Sequence, residues 1–231
     1  MSKIFKFGHR GASGHFPENT MLAFNKALEM GCDGVELDGS FTSDGHVVII
    51  HDETLDRTTN GKGLVIETSL KNIQKLDAGQ KEKVPTMEHT LDWAKQKSCL
   101  VNFEIKDSNM VDKVAHAIIS RRLQNQVFVT SFLHPEIVKL KNKNPGLKAG
   151  FIFDHYPLRP FQIVKQAKEN NLTVLSMKAE WVFKWVGENI IDLAHDAGLK
   201  VHIWGANDKS SVSRMQAMNV DAIITNYPEL L

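Results

Sequence analysis

"IFKFGHRGASGHFPENTMLAFNKALEMGCDGVELDG", residues 4–39, decides the fold. Its two ends, IFKFGH (4–9) and GVELDG (34–39), are short runs bounded by glycine and read as strands. Between them, Thr20 to Met30 has helical periodicity, and Gly31 suits the left-handed cap that ends such a helix. Strand, helix and strand in one short span make a βα unit, and the rhythm then continues to the C-terminus. Further strands are predicted at LVNFEIK (100–106), VFVTSF (127–132), KAGFIF (148–153), TVLSM (173–177), VHIWG (201–205) and AIITN (222–226). Pro85-Thr86 opens a predicted helix over MEHTLDWAKQK, Pro135 opens another over EIVKLKNK, and a third runs from Trp181 to Ala197 before Gly198. Eight strands and no Ser/Gly-rich or charged linker predict one α/β domain over 1–231, a (β/α)8 TIM barrel, which ordinarily takes roughly 250 residues. An open doubly wound sheet satisfies the same strand count. The final YPELL is too short for a full eighth helix, so closure there is expected to be irregular.

Composition excludes several functions. With 28 Lys and Arg against 27 Asp and Glu, the net charge of +1 provides no field to recruit nucleic acid, so any anion affinity must be local. Hydrophobic residues at 42% support a substantial core, and no run reaches the ~18 apolar residues of a membrane helix. The start, MSKIFKF, lacks the apolar stretch of a secretory signal. Cys32 and Cys99 are far apart without metal-type spacing and read as reduced thiols. These features favour a cytoplasmic protein with neither nucleic-acid partner nor stable membrane insertion; they leave the oligomeric state open.

The second strand extends into a hairpin. In GVELDGSFTSDGHVVIIHD (34–52) two extended runs flank Ser43-Asp44-Gly45, a turn signal. A turn at Thr42 to Gly45 puts Glu36 opposite His51 and Asp38 opposite Ile49, with facing Cβ atoms about 5 Å apart. Glu36, Asp38 and His51 then converge. In VNFEIK, Val101, Phe103 and Ile105 suit the helix side while Asn102, Glu104 and Lys106 point inward. Inward charges on a central strand are costly unless paired or bound to metal, and at the C-terminal ends of barrel strands that cost is commonly met by function. Glu36, Asp38 and Glu104 together form an all-oxygen donor set, suited to one divalent cation, Mg²⁺ or Ca²⁺. Inward ion pairs with Arg10 and Lys106 are the structural alternative.

His9-Arg10, PENT (17–20), Glu36-x-Asp38 and His51-Asp52 appear in this order, followed by DETLDRTTNGKG (52–63), VPTMEHTLDWA (84–94), NFEIK (102–106), TSF (130–132), VHIW (201–204) and DAIITNYP (221–228). The set resembles the signature of the glycerophosphodiester phosphodiesterase family over almost the whole chain. The resemblance implies a (β/α)8 barrel, a divalent cation, and hydrolysis of glycerophosphodiesters to sn-glycerol 3-phosphate and an alcohol. It implies His9 and His51 as the acid/base pair, Glu36, Asp38 and Glu104 as metal ligands, and Arg10 and Lys106 as phosphate contacts. Trp204 and Phe132 are candidates for packing on glycerol carbons, and Glu18 for orienting Arg10. The short stretch from Asp52 to Pro85 implies a compact form without an insertion domain. Three positions depart from the family pattern: Gly39 after Glu-x-Asp, Gly205-Ala206-Asn207 after Trp204, and Asn219 before Val220-Asp221. The other histidines, 15, 46, 89, 116, 134, 155, 195 and 202, read as surface or packing residues. Two rival functions are a lysophospholipase D-type phosphodiesterase, which needs an apolar groove at the mouth, and a non-catalytic phosphate-binding barrel, which has no need of both histidines.

Overall fold

Strands with an apolar outer face, separated by helices carrying one apolar stripe, close into a ring in the computed structural model, which describes residues 3–154, 159–183 and 189–231. The strands are β1 (Phe5–His9), β2 (Gly34–Phe41), β3 (Val47–Ile49), β4 (Leu100–Ile105), β5 (Val127–Ser131), β6 (Lys148–Phe153), β7 (Val174–Lys178), β8 (Lys200–Trp204) and β9 (Ala222–Thr225). Pairing runs β1-β9-β8-β7-β6-β5-β4-β2 and returns to β1, all parallel, which is a closed eight-stranded barrel and excludes the open sheet. β3 lies outside the ring, antiparallel to β2. The ring is wrapped by α1 (Met21–Glu29), α2 (Leu70–Ile73), α3 (Met87–Lys97), α4 (Val111–Ser120), α5 (His134–Lys143), α6 (Pro160–Glu169), α7 (Ala179–Trp181), α8 (Asn189–Asp196) and α9 (Lys209–Ala217). After β9 the chain makes only a 3-10 turn, Pro228–Leu230, the irregular closure expected of YPELL.

Local chemistry starts the helices where the sequence indicates. Thr20 Oγ1 accepts from the Ala23 amide and Thr86 Oγ1 from the His89 amide, caps worth about 1 kcal/mol each. Gly31 at φ +92° and Gly198 at φ +78° take the left-handed conformation after α1 and α8. The helix anticipated over Trp181 to Ala197 is present at its two ends, and residues 184–188 between them lie outside the described residues, as does His155. Among the described residues no helix is long and apolar enough to cross a membrane.

The core lies mainly between ring and helices. Val35 and Leu37 of β2 and Val101, Phe103 and Ile105 of β4 join it from the strands, Phe24 and Ala27 from α1. A smaller cluster, Phe7, Phe128, Val174, Ala222 and Ile224, fills the barrel interior. His202 packs into this plug, 5.0 Å from the Phe128 ring and 5.9 Å from Phe7, fully buried; burial pushes its imidazole down to about 3, so it is a neutral packing residue.

The hairpin register differs by one residue from the sequence expectation. Gly39 faces Ile49, and the Ile50 amide donates to the Asp38 carbonyl, so Asp38 lies opposite Ile50 rather than Ile49. The cause is a three-residue turn: Thr42 pairs with His46, and Gly45 sits at φ +77° in a bulge that adds one residue. β3 ends at Ile49, so His51 is not opposite Glu36 in a ladder; it reaches inward from the bend that follows.

Candidate active site

The mouth of the barrel gathers residues from segments spread along almost the whole chain. Alternation along β2 points Glu36 and Asp38 inward, and the parallel register sets Asp38 beside Glu104 of β4. All three carboxylates are buried, and each offers an oxygen within 4.8 Å of the others. At the end of β1 the chain turns through Arg10 at φ +55° and Gly11 at φ +80°. That left-handed turn, costly for a side chain as large as arginine, aims the Arg10 amide at Glu36 Oε2, 3.0 Å away. It also lets the guanidinium approach Asp38, with Nε 3.4 Å from Oδ2, while Nη1 donates to Glu18 Oε1 at 2.9 Å. Lys106 Nζ lies 3.0 Å from Glu104 Oε1 and 4.0 Å from Asp38 Oδ1, and Asn19 donates to Asp38 Oδ2.

Both expected histidines reach the same cavity, of about 250 Å³. His9 Nδ1 is 2.6 Å from Asn226 Oδ1, to which it donates, leaving Nε2 3.7 Å from Glu36. His51 Nδ1 is 2.8 Å from Asp52 Oδ1, again leaving Nε2 for chemistry. His9, Arg10, Glu36, His51 and Glu104 line one part of the wall, Phe132 and Trp204 another. The two aromatic rings meet edge to face at 6.2 Å, and Lys178 Nζ sits 5.6 Å over the Trp204 ring. Asp38 and Lys106 are not in the wall and act on residues that are.

The inner ring holds three acids against two cations, Arg10 and Lys106, so the ion-pair alternative leaves one negative charge in excess. Asp38 Oδ1 is buried without a hydrogen-bond partner, an orphaned lone pair aimed at the cluster. Burial and then the neighbouring Asp38 carboxylate push Glu104 up to about 7 and Glu36 well above the usual carboxylate range. Three hard oxygen donors with excess negative charge fit a divalent cation better than internal ion pairing. Burial, then the Arg10 charge, pushes His9 down to about 4.

These raised carboxyls set a pH dependence of stability. Between the ordinary carboxylate range and about 7, the folded chain without cation holds protons that the unfolded chain has released, so stability is greatest at the acid end and is lost as pH rises. Below about pH 6.5 the buried, neutral His9 and His202 oppose this trend, because only the unfolded chain protonates them. The melting temperature in chelator is therefore expected to fall from about pH 6.5 to pH 8, well above the titration of Glu18, held at about 2 despite burial by Arg57 and Arg10. Glu104→Gln should flatten that slope; a slope unchanged in the variant would refute the assigned cause.

The model of the Glycerophosphoryl diester phosphodiesterase family matches residues 9–230. The chain belongs to this family. A glycerophosphodiester phosphodiesterase of Caldanaerobacter subterraneus subsp. tengcongensis is 35% identical, the match covering 99% of this chain and 96% of the relative. The crystal structure of a glycerophosphodiester phosphodiesterase from Agrobacterium tumefaciens superposes with a TM-score of 0.86 at 27% identity, covering 99% of this chain and 98% of that one. A phosphodiesterase from Oleispira antarctica, in complex with the product sn-glycerol-3-phosphate, gives 0.85 at 26% identity, covering 97% and 94%. The chain is accordingly an enzyme of the glycerophosphodiester phosphodiesterase class and hydrolyses glycerophosphodiesters.

Two of the departures from the family pattern, Gly39 and Asn219, have local reasons. A Cβ on Gly39 would lie 2.6 Å from the Phe103 ring, so the packing of that phenyl requires glycine. Asn219 takes φ +57°, a left-handed position that asparagine tolerates nearly as glycine does. Asn207 Oδ1 accepts from the Asn226 amide and from Thr225 Oγ1, fixing the residue that holds His9. Sequence reasoning left Asn226, Asp52 and Arg57 without roles, although Asn226 lies in DAIITNYP and the other two in DETLDRTTNGKG. What was missing was contact across as many as 217 positions.

Proposed function

We propose that this enzyme hydrolyses glycerophosphodiesters to sn-glycerol 3-phosphate and an alcohol, with one divalent cation, Mg²⁺ or Ca²⁺, held by Glu36, Asp38 and Glu104. The observation that carries the reading is that His9, His51, Glu36 and Glu104 line one small cavity, with an Asp38 oxygen within 4.8 Å of both glutamates. A phosphodiester carries one negative charge, which repels nucleophiles and must be offset before attack. When bound, the cation would lower the pKa of the attacking hydroxyl and offset charge on the phosphate oxygens. A bound dication would also turn the one excess negative charge of the inner ring into one positive charge, matching a monoanionic substrate.

Arg10, in the cavity wall, contacts the phosphate, and Lys106 adds positive charge beside Glu104. One imidazole takes the proton from the attacking oxygen, the glycerol 2-hydroxyl or a water, as its bond to phosphorus forms. The bond from phosphorus to the alcohol breaks, and the other imidazole, protonated beforehand, gives its proton to the departing oxygen, a contribution of about 10²–10⁴ in rate. If the 2-hydroxyl attacks, a water then opens the cyclic phosphate with the two imidazoles in exchanged roles. Asn226 and Asp52 hold the Nδ1 protons, so both Nε2 atoms stay directed at the cavity. Trp204 and Phe132 form the apolar wall against which glycerol carbons pack.

One barrel domain over 1–231 carries this activity. Cys32 and Cys99 are buried and free, in keeping with a reducing compartment, and we assign the enzyme to the cytoplasm. The substrate is a small molecule: a cavity of about 250 Å³ lies below the ~300–1,000 Å³ of drug-sized ligand sites and suits a glycerophosphodiester better than a lysolipid with its acyl chain. Release of sn-glycerol 3-phosphate from glycerophosphocholine, measured with Mg²⁺, Ca²⁺ or chelator, tests the reading. Turnover should require a cation and exceed that of lysophosphatidylcholine by at least tenfold; preference for the lipid would favour the lysophospholipase D reading, and binding without turnover the silent barrel.

A further inference from the structure

Arg57 lies outside the cavity wall, yet it joins two of the groups that line it. Its guanidinium makes four hydrogen bonds to two carboxylates: Nη1 and Nη2 donate to Glu18 at 2.6 and 2.8 Å, and Nε and Nη2 donate to Asp52 at 2.7 and 2.8 Å. Glu18 accepts from Arg10, and Asp52 accepts from His51 Nδ1. An unbroken chain of charged hydrogen bonds therefore runs from Arg10 to His51 across two loops, with Arg57 at its centre.

We propose that Arg57 is a positioning residue for the hydrolysis, clamping Asp52 and Glu18 together so that His51 and Arg10 hold one fixed separation and His51 keeps its proton on Nδ1. This rests on the roles given above to His51 and Arg10. The backbone of Arg57 is anchored for such a task. Leu55 is buried beside Val48 and Ile50, its amide donates to the Gly63 carbonyl, and Thr59 Oγ1 donates back to the Leu55 carbonyl. The side chain is 49% exposed, where ion pairs add little to stability, so four bonds there serve orientation far more than stability. Only a planar fork can engage two carboxylates with two bonds each; an ammonium is a point charge. The hydrogen bonds from Arg57 are also the first cause holding the Asp52 carboxyl below the usual carboxylate range, in keeping with an acceptor that stays ionised toward His51.

The test compares Arg57→Ala and Arg57→Lys with the wild type, using Lys62→Ala, an exposed ion-pair residue of the same loop, as control. Turnover of glycerophosphocholine at saturating cation should fall about 10–100-fold in Arg57→Ala, the usual cost of losing an orienting partner, while KM changes less than about threefold. Methylguanidinium at tens of millimolar should restore part of kcat to Arg57→Ala and none to the wild type, with urea at equal concentration inert. Independently of activity, imidazole ¹⁵N spectra, with His51 assigned by its loss in His51→Ala, should show the Nδ1–H tautomer in the wild type and a mixture of tautomers in Arg57→Ala. If Arg57→Ala does not fold, Arg57→Lys carries the same measurements, with a smaller loss of kcat expected. Turnover within twofold of wild type, or an unchanged His51 tautomer, overturns the proposal. A wild type inactive on glycerophosphodiesters would overturn the functional reading instead, while the tautomer comparison would still decide whether Arg57 holds His51.

Discussion

His51→Ala is expected to lower kcat by about 10²- to 10⁴-fold while leaving KM and the melting temperature near their wild-type values, and His9→Ala to do the same. The magnitude follows from chemistry. An alkoxide such as that of choline leaves poorly unless protonated as its bond breaks, and an attacking hydroxyl is weak unless a base takes its proton. Stability is expected to hold because neither ring belongs to the packed interior: the His9 side chain is 18% exposed and that of His51 32%. Each ring does fix one neighbour, Asn226 or Asp52, but Asn226 is also held by Asn207 and Asp52 by Arg57. His89→Ala, on the exposed start of α3, should leave turnover unchanged and controls for the loss of any imidazole. Near-full turnover in either active-site variant would remove that residue from the acid/base pair.

The acidic cluster gives the second large effect, and its sign differs between stability and function. Calorimetric titration of Glu36→Gln with Mg²⁺ or Ca²⁺ is expected to show affinity reduced by more than about 100-fold, since loss of an outer-sphere partner alone costs 10–100-fold. In chelator at pH 8, the same variant should melt above the wild type. Burial and the neighbouring acids disfavour a charged Glu36 in the folded chain at a pH where the unfolded chain ionises it freely, and glutamine removes that difference at nearly constant volume. Such opposition is expected of a site built for a ligand at the expense of the empty fold. Equal affinity in variant and wild type would show that the triad is an ion-pair network and nothing more.

Much of this arrangement was legible in the chain because the signals are local. Period-two alternation in NFEIK and VELD placed Glu104, Glu36 and Asp38 on one face, and parallel pairing brought those faces together. The parallel strands sit within two residues of their expected bounds, as befits runs bracketed by glycine, proline or a helix cap. The hairpin register was not legible, since one bulged residue at Gly45 changes every pairing after it while altering nothing in the hydrophobic pattern. Nor were the partners that set each imidazole tautomer. Asn226 meets His9 because β9 and β1 are neighbours at closure, and Arg57 meets Glu18 through a loop whose course no periodicity records. Ring closure itself depends on pairing between the first and last strands, a contact that counting strands cannot supply.

The central claim is that Glu36, Asp38 and Glu104 gather a divalent cation beside both catalytic imidazoles. Mn²⁺, a paramagnetic ion that oxygen donors accept in place of Mg²⁺ or Ca²⁺, tests it directly through the imidazole NMR signals. Substoichiometric Mn²⁺ should broaden the signals of His9 and His51 in the wild type and spare His89 and His116 on the outer helices, and Glu36→Gln should abolish the effect. Signals of His9 and His51 that stay sharp while Mn²⁺ binds, or broadening that persists in Glu36→Gln, would contradict the account.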